Sequence, residues 1–219
     1  MDIPYEYSVV LPDGYKEGER YPVLFALHGK GSNEQDLLGL AAPLKSKFIL
    51  IGIRGDLPLG QGYQYYELRS LGKPIREMFD RAVVRLEAFI EYATEKYAVD
   101  PARRYVLGFS QGAILAMTLA LTMGDRIKGI VALNGYIPDF VKKEYPHRSV
   151  MNMSIFISHG EFDPVFPVLI GYETANYFKN LNDRVVFKTY PSGHEVTGSN
   201  RQELLSFLLE DSLGTHVKE

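Results

Sequence analysis

The chain has 219 residues, 46% of them apolar and 23% charged, with a formal net charge of −3 and both signs interspersed. That length holds one substantial core-forming domain and is short for two, so a single domain over residues 1–219 is expected. The absence of cysteine excludes disulfides, thiolate nucleophiles and cysteine metal sites, and the absence of any basic run or RNA-reading motif argues against a nucleic-acid partner.

The first residues, Met1-Asp2-Ile3-Pro4-Tyr5-Glu6, carry neither the basic start nor the apolar stretch of a signal peptide. No apolar run approaches the ~18 residues of a membrane span, and a cytoplasmic location is the expectation. Residues 5–11 alternate enough for a strand, which Pro12-Asp13-Gly14 turns. Residues 21–27 are almost wholly apolar and break at His28-Gly29-Lys30-Gly31, as a strand buried on both faces does. The run 48–53 repeats that pattern. From 75 to 97, apolar residues fall at Phe79, Ala82, Val83, Leu86, Phe89, Ile90, Ala93 and Tyr97, separations of three and four that mark an amphipathic helix. Residues 105–107 read as a strand, 113–123 as a helix apolar nearly all round, and 130–133 and 154–158 as further buried strands. A helix over 168–181, a strand over 185–190 and a helix over 201–210 complete the chain. The alternation implies an α/β fold with a mostly parallel central sheet and helices on both faces. In such sheets ligands bind beyond the carboxyl ends of the strands.

The strongest motif lies there. Gly108-Phe109-Ser110-Gln111-Gly112 follows one strand and opens the buried helix, which is the G-x-S-x-G arrangement that sets a serine on a sharp strand-to-helix turn. A serine that merely caps the helix is the plainer alternative. As a nucleophile, Ser110 needs a base to take its proton. Of the histidines at 28, 147, 159, 194 and 216, His194 follows the last strand and can reach back across the sheet, so it is the candidate base. Asp163, after the strand 154–158 and stiffened by Pro164, is the candidate acid that orients the imidazole. Glu161, two residues away on the same loop, competes with it. The backbone N–H of Gln111, next to the nucleophile, and that of Lys30 in the His28-Gly29-Lys30-Gly31 loop are candidate oxyanion donors, with Gly31 as the second choice in that loop. The loop lacks the spacing and Lys-Ser/Thr ending of a P-loop, and His28 reads as a structural hydrogen-bonding residue.

With these residues in place, the chain resembles the phospholipase/carboxylesterase family of α/β-hydrolases, which includes bacterial carboxylesterases and acyl-protein thioesterases. The resemblance rests on Leu27-His28-Gly29-Lys30-Gly31, Gly108-Phe109-Ser110-Gln111-Gly112, His159-Gly160 through Asp163-Pro164, and Gly193-His194-Glu195. It implies an α/β-hydrolase fold, a Ser110–Asp163–His194 triad, and donors at Lys30 and Gln111, while the absence of a long insertion in the chain suggests no large lid. It also implies that the connection Gly60-Gln61-Gly62-Tyr63-Gln64-Tyr65-Tyr66-Glu67 walls an acyl pocket, through Tyr63, Tyr65 and Tyr66; Gly31, Tyr65 and Tyr66 are the candidate substrate-binding residues. Clustered tyrosines are equally packing anchors, and Arg54 could tie that loop through a carboxylate. Lys30 departs from the apolar residue common at its position. The activity implied is hydrolysis of short- to medium-chain esters, with thioesters or lysophospholipids also open. The substrate is then a small-molecule ester, no metal or organic cofactor is needed, and a homodimer is allowed. A peptidase-like or aminoacyl-cleaving hydrolase, and a non-catalytic binding protein on the same scaffold, stay open as alternatives.

Overall fold

A computed structural model describes residues 5–214. Its centre is a seven-stranded sheet: β1 (Tyr7–Val10), β2 (Tyr21–Leu27), β3 (Ile49–Ile53), β4 (Val99–Phe109), β5 (Gly129–Leu133), β6 (Ser154–Gly160) and β7 (Val185–Tyr190), in the order β1-β3-β2-β4-β5-β6-β7. Only β1 runs antiparallel, against β3; every other pairing is parallel. The helices are α1 (Asp36–Ala41), α2 (Arg76–Lys96), α3 (Gln111–Met123), α4 (Asp139–Glu144), α5 (Val168–Lys179) and α6 (Gly198–Leu213). This is the mostly parallel α/β-hydrolase architecture anticipated from the alternation. Among the described residues no helix is long and apolar enough to cross a membrane.

The central strands β2, β3, β5 and β6 are almost wholly apolar because both of their faces are covered. Successive side chains point to opposite sides of a sheet, and β2 divides accordingly. Val23, Phe25 and Leu27 join one core with residues of α2, α3 and α5, whereas Leu24 and Ala26 join a second core with residues of α1 and α6. The seven apolar positions from Phe79 to Ala93 are the buried stripe of α2, and Tyr97 lies just past its end. Helix α3 is buried at every position but Thr122, which is why its sequence has no polar face.

The differences from expectation lie in short elements. The tyrosine-rich connection is two small hairpins, Leu57–Leu59 with Gly62–Gln64 and Leu68–Ser70 with Lys73–Pro74. Gly60 and Gly72, with φ of 59° and 75°, allow their tight turns. Helices α1 and α4 have six residues each, too few for a helical period to show in the sequence. Strand β4 starts six residues earlier than its apolar run, and its register against β2 shifts between the Tyr21–Val99 and Val23–Arg104 pairs.

Candidate active site

The carboxyl ends of β4, β5, β6 and β7 carry the site. Ser110 follows β4 with φ 52° and ψ −114°, one of two non-glycine residues with positive φ among those described. The flanking glycines make that turn sterically possible. A Cβ on Gly108 would lie 2.2 Å from Gly112 O, and one on Gly112 would lie 1.9 Å from Leu27 O. The Ser110 N–H donates to Leu133 O (2.9 Å), which fastens the turn to the end of β5. Although Ser110 precedes α3, its side chain makes no capping hydrogen bond. Its Oγ lies 2.8 Å from His194 Nε2 instead.

Asp163 and His194 come together because the loops after β6 and β7 pack backbone to backbone. Phe162 N–H donates to Ser192 O (3.0 Å) and Glu161 N–H to Tyr190 O (2.8 Å), and a Cβ on Gly160 would fall 2.0 Å from Gly193 O. Asp163 Oδ2 then lies 2.7 Å from His194 Nδ1. An ionised carboxylate only accepts, so Nδ1 carries the proton and Nε2 is free to accept from Ser110. Oδ1 of Asp163 accepts from the N–H groups of Val165 (2.8 Å) and Phe166 (2.9 Å). Burial pushes the Asp163 carboxyl up, but hydrogen bonds from Asn134, His194, Phe166 and Val165 outweigh it and hold the group below the usual carboxylate range. Glu161 points elsewhere, accepting from Thr189 Oγ1 (3.0 Å) at the surface.

The remaining histidines are occupied. His28 donates from Nδ1 to Gly29 O (2.7 Å) and accepts at Nε2 from Gly55 N–H (3.0 Å), bracing two loops from inside the protein. His159 Nε2 donates to Phe166 O (2.7 Å), and His147 Nε2 to Val141 O (2.8 Å). His216 lies outside the described residues.

Beside Ser110 is a cleft of about 210 Å³ walled by Tyr66, Leu68, Ile114, Tyr136, Val165 and Phe166, with Lys30 and Gln111 also on its border. The N–H groups of Lys30 and Gln111 donate to no described residue. That of Gly31 is committed to Tyr63 O (2.7 Å), so Gly31 has no donor to offer. Of the two tyrosines, Tyr66 borders the cleft and Tyr65 does not. Tyr65 is held as a packing anchor: its hydroxyl donates to Ile53 O (2.7 Å) and accepts from His28 N–H (3.2 Å), and its ring lies against that of His28. Gly31 likewise falls outside the cleft walls. Arg54 ties the loop as the residue pattern allowed, pairing with Glu34 through Nε (2.6 Å) and Nη2 (2.7 Å) and with Glu6, while covering the Tyr63 ring.

Two roles were invisible in the sequence. The Gln111 side chain accepts from Tyr65 N–H (2.7 Å) and donates to Tyr66 O (3.0 Å). Asn134, directly after β5, donates from Nδ2 to Asp163 Oδ2 (2.9 Å). A more voluminous cleft of about 620 Å³ near Tyr5, Tyr7, Arg54 and Arg85 contains none of Ser110, Asp163 or His194, and its arginines pair with Glu6, Glu34 and Asp56. Among the described residues, no group of three or more histidine, cysteine, aspartate or glutamate side chains could hold a metal ion.

The sequence profile of the phospholipase/carboxylesterase family matches residues 15–210. MhqD of Bacillus subtilis is 28% identical over 188 residues, which span 84% of this chain and 90% of that protein. Acyl-protein thioesterase 1 of Saccharomyces cerevisiae is 30% identical over 146 residues, spanning 64% of this chain and 63% of its own. The crystal structure of the Bacillus cereus carboxylesterase superposes with a TM-score of 0.83 over 94% of both chains at 22% identity, a likeness of fold.

Proposed function

The chain belongs to the phospholipase/carboxylesterase family, and on that premise we propose that it is a serine carboxylesterase acting on short- to medium-chain esters through an acyl-serine. The observation that carries the proposal is the unbroken line from Asp163 Oδ2 through His194 to Ser110 Oγ, at 2.7 Å and 2.8 Å. His194 Nε2 takes the Ser110 proton as Oγ attacks the carbonyl carbon. Asp163 holds the proton on Nδ1 and stabilises the imidazolium that forms. The N–H groups of Lys30 and Gln111 receive the oxyanion, a contribution worth on the order of 10²–10³ in rate per donor. The imidazolium then protonates the departing alcohol or thiol. A water, deprotonated by the same Nε2, attacks the acyl-serine, and the imidazolium returns that proton to the departing Ser110 Oγ as the acid is released.

The cleft supports small acyl groups. Its walls are apolar, and its volume of about 210 Å³ lies below the ~300–1,000 Å³ typical of sites for drug-sized ligands. Thioesters are the second reading, favoured by the relatives named acyl-protein thioesterases. The same triad serves both, because only the leaving atom differs. Labelling with a fluorophosphonate, followed by peptide mass spectrometry, tests the nucleophile: modification at Ser110 is expected, and an unmodified Ser110 in folded protein overturns the proposal.

A further inference from the structure

Asn134 is the other non-glycine residue with positive φ, at 51°. It follows β5 as Ser110 follows β4, and the two turns are stitched in sequence across the sheet. Ser110 N–H donates to Leu133 O (2.9 Å), and Asn134 N–H donates to Ser158 O on β6 (2.9 Å). Asparagine tolerates the left-handed region better than most residues, which accounts for its backbone but not for its side chain. That side chain is fully buried. Its Nδ2 donates to Asp163 Oδ2 at 2.9 Å and toward Gly193 O at 3.4 Å, while its Oδ1 has no partner. All of its hydrogen bonding is thus donation toward the acid and the loop that carries the base.

We propose that Asn134 is a positioning residue, resting on the triad reading above, which shares Asp163 Oδ2 with His194 and thereby sets how strongly the carboxylate holds the imidazolium. With Oδ1 taken by two backbone N–H groups, the Asp163 carboxylate cannot rotate without losing them. Oδ2 then has two donors, Asn134 and His194. Each hydrogen bond to a carboxylate withdraws charge from it. Removing the amide leaves Asp163 more basic toward His194, and the imidazole should titrate higher. The other ionisable groups facing this pair are few. His159 Nε2 lies 3.6 Å from Asp163 Oδ2 but donates to Phe166 O. Glu161 turns to Thr189, Glu195 is the next residue in the chain, and Lys30 and the tyrosines Tyr66 and Tyr136 border the cleft.

The test is the titration of His194 by NMR in histidine-labelled protein, which reads the carboxylate's hold whether or not an ester turns over. Asn134→Gly removes the amide and relaxes the backbone; Asn134→Ala removes it and keeps the strain. Both should raise the His194 midpoint by about half a unit to one unit, with thermal unfolding showing that each variant is folded. An unchanged midpoint in the glycine variant, or a shift in the alanine variant alone, overturns the proposal, since the effect would then belong to packing or backbone strain. A wild-type protein that hydrolyses no ester would count against the esterase reading instead, and the His194 midpoints would still decide the role of Asn134.

Discussion

The side chain of Gln111 and the backbone of Tyr65 are joined by a 2.7 Å hydrogen bond from Tyr65 N–H to Gln111 Oε1, and the same amide donates to the neighbouring Tyr66 O at 3.0 Å. The residue after Ser110 therefore fixes the wall of the cleft as well as bordering it. Replacing it by alanine leaves a buried N–H and a buried C=O without partners, each costing about 1–3 kcal/mol. Gln111→Ala is expected to lower the unfolding midpoint and to raise KM for p-nitrophenyl butyrate, because Tyr66 loses its tether. An unchanged KM would mean that the loop holds its place without Gln111.

The two adjacent tyrosines should behave differently. Tyr65→Phe removes a hydroxyl with two buried partners, so a loss of about 1–3 kcal/mol in stability is expected with no change in acyl-chain preference. The Tyr66 hydroxyl has no partner among the described residues, and Tyr66→Phe should be close to neutral for stability. Tyr66→Ala should open the cleft and shift preference toward longer acyl chains. Urea unfolding and a series of acetate, butyrate and octanoate esters separate these outcomes.

Gly112 tests the elbow. A Cβ there would meet Leu27 O at 1.9 Å, and the obstacle is backbone rather than a side chain that could swing away. Gly112→Ala should be among the most destabilising single changes in the chain, beyond the ~1–3 kcal/mol usual for overpacking, and is read by the fall in soluble, cooperatively unfolding protein.

Stability should fall in acid earlier than carboxylates alone would require. Burial lowers the affinity of His28 and His159 for a proton in the folded state. A group with a depressed folded pKa stabilises fully above its unfolded value, about 6.5 for histidine, and loses that contribution as pH falls toward the folded value. Asp163, held low by its four hydrogen-bond donors, contributes above its own unfolded value of about 3.9 and loses it below. The unfolding midpoint is expected to be flat from pH 8 to about 6.5 and to decline in a first step below that. A midpoint flat down to pH 5 would contradict the assignment of both histidines as buried and neutral.

The sequence was most legible where one physical requirement acts alone. The strands at 21–27 and 185–190 were read to the residue because burial on both faces, or a clean pair of ends, leaves an unmistakable run. Gly108, Ser110 and Gly112 stood out because the elbow tolerates little else at its glycines. Asn134 left no signal: one polar residue after an apolar strand is an ordinary loop residue until the fold brings β6 and β7 beside it. Tyr65 and Tyr66 could not be told apart by type or spacing. Which of them meets the cleft depends on Gln111 and His28, 46 and 37 residues away in the chain.

The most direct measurement is hydrolysis of p-nitrophenyl butyrate at neutral pH by the wild-type protein and by Ser110→Ala, with thermal unfolding as the check on folding. A nucleophilic Ser110 predicts a loss on the order of 10⁴–10⁶ in kcat at an unchanged fold. Equal rates in the two proteins would remove Ser110 from the chemistry and the acyl-serine mechanism with it.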